Sequence, residues 1–224
     1  PDWYKKDAQG QIHAYTYRAT PSAQPEYWTD VVGLDYSAPA LWPAMTEAMR
    51  FWLREADIDG FRCDVASLVP TPFWAQARVA LNAIKPVFML AESEAVDLHT
   101  SAFDMTYDWN VYPLLRDVAW GTKPVTAIDD ALLHTQLIPY ASMPDALVMR
   151  MTYNHDDNGK FTLGDAYRGG IKTFAVLAAT LPGKPLVFDG QEVGMNVFDG
   201  TTVRPSINLG HDPKVKIDWA DPEG

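Results

Sequence analysis

An apolar strand that carries two charged side chains limits most strongly how this chain can fold. Residues 59–66 read DGFRCDVA, with Arg62 and Asp64 two positions apart. Because side chains alternate along a strand, both charges lie on one face and Cys63 lies on the other. Opposite charges on a buried strand must pair, and Arg62, which stays protonated, would keep Asp64 ionised. The segment therefore fits either a structural ion pair or a carboxylate nucleophile at the end of a strand.

Two later apolar runs also end in acidic residues. Residues 87–92 read VFMLAE, and residues 148–156 read VMRMTYNHD. In a parallel barrel the carboxyl ends of the strands meet at one face, where active sites are built. The pattern predicts that Asp64, Glu92 and Asp156 meet at that face.

These segments together resemble the α-amylase family of glycoside hydrolases (family 13). GFRCDVA at 60–66 is similar to its nucleophile strand, LAES at 90–93 to its acid strand, and YNHDD at 153–157 to its third motif, in the family's order. Weaker similarity extends over three flanking segments, residues 1–7, 185–192 and 216–219.

The resemblance implies an α/β fold of the (β/α)8 TIM-barrel type, and strands that alternate with helices also favour a parallel sheet. We expect a partial barrel of strands four to eight in residues 39–224, after a remnant of the insertion that follows strand three in residues 1–38. The earlier strands, with the family's first sugar-binding motif, are expected to be absent from this chain. Strands are predicted at 60–65, 87–91, 102–109, 146–152 and 185–188, and helices at 39–56, 72–84, 112–119, 125–133 and 167–181.

By resemblance, Asp64 is the nucleophile of a retaining glycosidase and Glu92 is the general acid that later acts as base. Asp156 stabilises the transition state through the sugar hydroxyls. Arg62 orients Asp64, and His155 contacts the same sugar. Burial and acidic neighbours are expected to raise the pKa of Glu92.

Alternatives to these assignments stay open at this point. Glu94 could be the acid instead of Glu92, although the family places it directly after the small residue of its strand. Asp157 competes with Asp156, and outside its motif His155 would be an ordinary surface histidine. Other polar residues near the strand ends are predicted to have structural or loop roles: Asp104, Asp108, Gln191 and Glu192.

The chain departs from the family pattern after the nucleophile. Ser67 and Leu68 stand where many members carry Lys-His, and that histidine often helps to hold a calcium ion. We therefore expect no cofactor and no metal site here, although calcium in a longer enzyme would be compatible with the family.

Composition limits the partners. The chain is 47% hydrophobic with a net charge of −11, which indicates a globular protein and disfavours nucleic acid or an anionic membrane surface. Cys63 is the single cysteine, so no intrachain disulfide can form.

The implied function is retaining hydrolysis of α-1,4-glucosidic bonds in starch-like glucans or maltooligosaccharides. Action as an α-glucosidase, a transglycosylase or an isomerase is the alternative on the same site, and a non-enzymatic relative is a further one. For the chain by itself, we expect an inactive fragment that associates through exposed barrel edges.

Overall fold

The structure is a computed structural model that describes residues 2–157 and 161–193. The chain divides into two compact units. Of the described residues, the first unit contains 2–61 and 67–88, and the second contains 62–66, 89–157 and 161–193. The similarity noted at residues 216–219 lies outside the described residues.

The first unit opens with a β-hairpin where the sequence indicated little regular structure. Strand β1 (Ala14–Tyr17) pairs antiparallel with β2 (Glu26–Val32). Trp28 lies opposite Tyr15 and stacks on Tyr17, with ring centroids 5.0 Å apart. Cross-strand aromatic pairs of this kind stabilise a hairpin that has little core of its own.

Two helices complete the first unit, close to the predicted bounds. Helix α1 runs over Leu41–Glu55 and α2 over Thr71–Asn82. Their buried faces meet around Phe73, whose ring lies edge-on to Trp42 at 5.8 Å. Pro72 stands at the first turn of α2, where its missing N–H is not needed.

The predicted strands form one five-stranded sheet in chain order, β3-β4-β5-β6-β7, and the pairings from β4 to β7 are parallel. This arrangement confirms the expected partial (β/α) barrel. Strands β3 to β6 lie within the predicted ranges and are shorter: Gly60–Cys63, Phe88–Ala91, Met105–Tyr107 and Leu147–Arg150. Strand β7, which was predicted at 185–188, covers only Lys184–Pro185.

The helices of the second unit follow β5 and β6. Helices α3 (Tyr112–Ala119) and α4 (Thr126–Leu132) come after β5, and a π-helical turn over Leu133–Leu137 continues α4. Helices α5 (Leu163–Tyr167) and α6 (Ile171–Thr180) come after β6.

The single helix predicted at 167–181 is wrong in its first part. A break separates α5 from α6, because Arg168 has a φ of 51° and Gly169-Gly170 follow it in a 3₁₀ turn. Positive φ is outside the helical region, and two glycines favour its interruption. A capping box between Thr162 and Asp165 fixes the start of α5.

Two apolar clusters hold the second unit together. One lies between the strands and contains Met105, Tyr107, Tyr112, Met149 and Met151. The other lies under the helices and is built on Val111, Leu115, Tyr153, Leu163 and Tyr167, among others. The strand ends that carry the candidate site are thus backed by buried side chains.

Within the described ranges, every helix is too short or too polar to cross a bilayer.

Candidate active site

Asp64 lies in the turn that directly follows β3. The predicted alternation is observed, since Cys63 is buried and the side chains of Arg62 and Asp64 are on the accessible face. The next residue, Val65, has a φ of 39°. A β-branched residue in this region is strained, and such strain clusters at functional sites.

Backbone hydrogen bonds bring Asp64 beside Glu92. On one side of Asp64 the Cys63 carbonyl accepts from the Glu92 N–H at 3.0 Å, and on the other the Ala66 N–H donates to the Glu92 carbonyl at 3.1 Å. The nucleophile candidate and the acid candidate are therefore neighbours on adjacent strand ends.

Of the two glutamates that follow β4, Glu92 contacts Arg62. The Glu92 side chain is only 12% exposed, whereas Glu94 is an exposed residue. Oε2 of Glu92 accepts the Val65 N–H at 2.8 Å and lies 3.1 Å from Nη2 of Arg62. The small residue Ala91 ends β4 directly before Glu92.

Arg62 joins the two carboxylates. Its Nη1 donates to Asp64 and its Nη2 lies against Glu92, while its Nε donates to the Tyr107 hydroxyl at 3.3 Å. The guanidinium also lies over the Tyr107 ring, 5.5 Å from its centroid. A planar fork with several donors suits this double contact, which a lysine could not reproduce.

The electrostatics of Glu92 suit a proton donor. Burial is the main cause that raises the pKa of this carboxyl above its usual value. The Val65 N–H and Arg62 act in the opposite direction, and the charges of Asp64 and Asp156 raise the pKa further. The direction agrees with the prediction, and Asp156 is one of the charges that act on Glu92.

The loop after β6 presents Asp156 and buries Asp157. Asn154 is buried, and its Oδ1 accepts the N–H groups of Asp156 and Asp157 at 2.9 and 3.1 Å. Asp157 is buried and accepts a hydrogen bond from the Tyr112 hydroxyl. His155 is exposed, with Nε2 3.5 Å from Oδ1 of Asp156. Of the two aspartates, Asp156 is the more exposed.

The remaining sequence candidates have structural contacts. Asp104 accepts the Met89 N–H at 2.7 Å, and Asp108 pairs with Arg150 in a buried contact. Gln191 donates to the Thr152 hydroxyl at 2.6 Å, while Glu192 is exposed.

Sequence reasoning missed Tyr107, which contacts Arg62 from the end of β5. Alternation along 105–107 could have indicated that Met105 and Tyr107 share a face, but not that the hydroxyl reaches Arg62.

No group of three or more His, Cys, Asp and Glu side chains in residues 2–157 and 161–193 is arranged to hold a metal ion. That no calcium ion binds near Ser67 and Leu68 stays a prediction.

Comparison with known proteins agrees with the motifs. No family model matches the chain. A cyclomaltodextrinase of Geobacillus thermopakistaniensis is 30% identical over 172 residues, which cover 72% of this chain and 28% of that protein. A cyclomaltodextrinase of Thermoanaerobacter pseudethanolicus is 24% identical over 202 residues, or 87% of this chain and 34% of that protein. The chain thus spans about a third of the length of the curated relatives it matches.

A solved structure extends the similarity to the fold. The crystal structure of a noncanonic maltogenic α-amylase, AmyB from Thermotoga neapolitana, superposes with a TM-score of 0.72 at 33% identity. The match covers 88% of this chain and 43% of that chain. With its three motifs in order on the ends of parallel strands, the chain belongs to the α-amylase family of glycoside hydrolases.

Proposed function

We propose that the protein carrying this chain hydrolyses α-1,4-glucosidic bonds of starch-like glucans or maltooligosaccharides with retention of configuration. The observation that carries the proposal is the double contact of Arg62 with Asp64 and Glu92. Retaining glycosidases need two carboxyl groups about 5–5.5 Å apart. The contact of both carboxylates with one guanidinium supports this assignment, because it brings the two groups near each other.

The two carboxyl groups have environments that suit different roles. Asp64 is 72% exposed and paired with the Arg62 guanidinium, so its carboxylate is accessible to a substrate, as a nucleophile must be. Glu92 is largely buried and has a raised pKa, which favours the protonated form that a general acid needs.

The environments of Asp64 and Glu92 support the following reaction. A carboxylate oxygen of Asp64 attacks the anomeric carbon as the glycosidic C–O bond breaks, and Glu92 gives its proton to the departing oxygen. Glu92 then takes a proton from water, whose oxygen attacks the anomeric carbon and releases Asp64. Asp156 and His155 bind hydroxyls of the reacting sugar, and Arg62 holds Asp64 in line.

The test measures products from maltoheptaose. Because the chain spans about a third of its curated relatives, the assay uses the longest natural form of the protein. Proton NMR of the first products should show the α-anomer. Asp64→Asn should lower kcat by several orders of magnitude, as expected for loss of a nucleophile. Glu94→Gln, which changes an exposed carboxylate two residues from the acid, is the matched control and should retain activity.

Two results would contradict the proposal. One is an initial β-anomer, and the other is near-normal activity in Asp64→Asn. Products longer than maltoheptaose would instead indicate transfer to a sugar acceptor, which is the transglycosylase alternative on the same site.

We also propose that the 224-residue chain by itself associates and has little activity on starch. The outer strands of the described sheet are β3 and β7, and open strand edges invite pairing. On α1, Phe51 and Trp52 are exposed large apolar side chains. Partners with nucleic acid or membrane chemistry are disfavoured by the acidic net charge.

Sedimentation velocity at micromolar concentration, beside a reducing-sugar assay on soluble starch, tests this association. A double Phe51→Ser, Trp52→Ser variant should sediment more slowly, whereas Val79→Ser, a single exposed position on α2, should not change the distribution. A monomer that cleaves starch at ordinary enzyme rates would refute this part of the proposal.

A further inference from the structure

A buried hydrogen bond between Tyr112 and Asp157 connects α3 to the loop that carries Asp156. The two side chains come from different elements, and both residues are buried. A buried polar group is costly unless it is hydrogen-bonded, and this bond satisfies both side chains. The loop is therefore tied to the helix at residue 157.

The same loop is tied at its other end by Asn154. This residue is buried, and its Oδ1 accepts the backbone N–H groups of Asp156 and Asp157. The backbone of Asp156 thus lies between two anchored neighbours. The Asp156 side chain is left half-buried on the side where its charge affects Glu92.

We propose that the Tyr112–Asp157 hydrogen bond is a positioning device that sets where Asp156 stands relative to Glu92. Tyr112 and Asp157 act through Asp156 and do not touch the sugar. The inference deepens the proposed function, since it concerns the geometry of the same site, but its first test does not require catalysis.

The test uses the pKa of Glu92, read by NMR from the pH titration of its ¹³C-labelled side-chain carboxyl in the 224-residue chain. The charged groups that act on Glu92 are Arg62, Asp64 and Asp156. Because Asp156 raises the pKa of Glu92, Asp156→Asn should lower it and define the full effect. Tyr112→Phe removes only the hydroxyl. Because Asp156 can then move away from Glu92, the pKa of Glu92 should fall, as it does in Asp156→Asn.

A second tyrosine provides the matched control. Tyr167 is 1% exposed and Tyr112 is 2% exposed, and the Tyr167 hydroxyl donates to the Thr152 carbonyl at 2.9 Å. Tyr167→Phe therefore loses an equally buried hydroxyl whose bond ends upstream of Asn154. It should leave the titration of Glu92 unchanged even if it lowers the melting temperature.

Two replacements of Asp157 separate anchoring from charge. Both Asp157→Asn and Asp157→Ala remove the negative charge, but only the asparagine keeps an oxygen that can accept from Tyr112. We expect the pKa of Glu92 in Asp157→Asn to stay close to the wild-type value. In Asp157→Ala it should fall as it does in Tyr112→Phe.

Three results would overturn the inference: an unchanged Glu92 titration in Tyr112→Phe, equal shifts in Tyr112→Phe and Tyr167→Phe, or no shift in Asp156→Asn. Activity gives an independent readout, because misplacement by about 1 Å can cost about 100-fold in rate. In the natural protein Tyr112→Phe should lower kcat by about 10- to 100-fold, with a smaller change in KM. If the wild type does not hydrolyse maltoheptaose, the proposed function fails, while the NMR result still decides the role of Tyr112.

Discussion

Nη2 of Arg62 lies 3.1 Å from Oε2 of Glu92, while the other terminal nitrogen of the same guanidinium contacts Asp64. The cation thus acts on both proposed steps of catalysis. It contacts the Asp64 carboxylate, and it restrains the rise in the pKa of Glu92 that burial causes.

Removal of this cation should shift the titration of Glu92 upward. In Arg62→Gln the attraction that lowers the pKa of Glu92 is lost, while burial and the charges of Asp64 and Asp156 remain. The carboxyl NMR titration should therefore move to higher pH, and with it the alkaline limb of kcat/KM in the natural protein. Arg54→Gln, on the exposed surface of α1, is the control. A downward shift in Arg62→Gln would contradict the assignment.

The raised pKa of Glu92 makes the contribution of this residue to the free energy of unfolding depend on pH. Its pKa in the folded protein is raised, so below the unfolded value both states are protonated and the group costs nothing. As the pH rises through the folded pKa, ionisation favours the unfolded chain. Glu92→Gln should therefore gain in unfolding free energy relative to the wild type as the pH rises from about 4 to about 7. Urea unfolding at several pH values measures the difference, and the opposite slope would show that burial does not dominate.

A buried ion pair between Arg150 and Asp108 should matter more to stability than any surface pair. The two side chains are 1% and 2% exposed, with Nη1 and Oδ2 2.5 Å apart. Asp108→Leu leaves the guanidinium buried without this partner and should cost about 3–5 kcal/mol. Glu47→Gln, which breaks an exposed contact with Arg54, should cost at most about 1 kcal/mol. Equal losses in urea unfolding would show that the buried pair is solvated.

The local features of the site could be predicted from sequence because they depend on near neighbours. Alternation placed Arg62 and Asp64 on one face, and a strand-end position placed Glu92 beside them. Helix α1 was predicted within two residues at its start because its apolar positions recur at helical spacing.

Features that depend on distant pairs were not predictable in the same way. The contact of Tyr107 with Arg62 and the bond of Tyr112 to Asp157 each join residues 45 positions apart. The hairpin of β1 and β2 was missed because β2 is exposed at six of its seven positions and no position of β1 is fully buried, so burial gives the two strands little apolar pattern. The break after Tyr167 depends on one positive φ at Arg168, and an arginine in the sequence does not indicate a positive φ.

Metal dependence is a further prediction, carried by Ser67 and Leu68. These residues form part of a 3₁₀ turn over Ala66–Leu68 where many family members have Lys-His. We expect no calcium to bind near this turn. Addition of Ca²⁺ to about 1 mM, the weak end of protein sites, followed by excess chelator, should leave the melting temperature of the chain unchanged. A rise with calcium that the chelator reverses would show that a site exists despite the substitution.

Gly60 should be intolerant of any side chain, because β3 approaches residue 88 too closely there. An added Cβ would lie 1.9 Å from the Phe88 carbonyl oxygen, and this neighbour is backbone that cannot rotate away. The adjacent Asp59 carbonyl accepts the Phe88 N–H at 2.8 Å, so a displaced strand would also lose this bond. Gly60→Ala should cost at least about 1–3 kcal/mol by urea unfolding, as for other overpacked sites. Gly169→Ala is the matched control, since nothing lies within 4 Å of its added Cβ, and it should stay within about 1 kcal/mol of the wild type. Equal stability of the two variants would mean that β3 can move away from residue 88, and the placement of Asp64 four residues later would then lose its support.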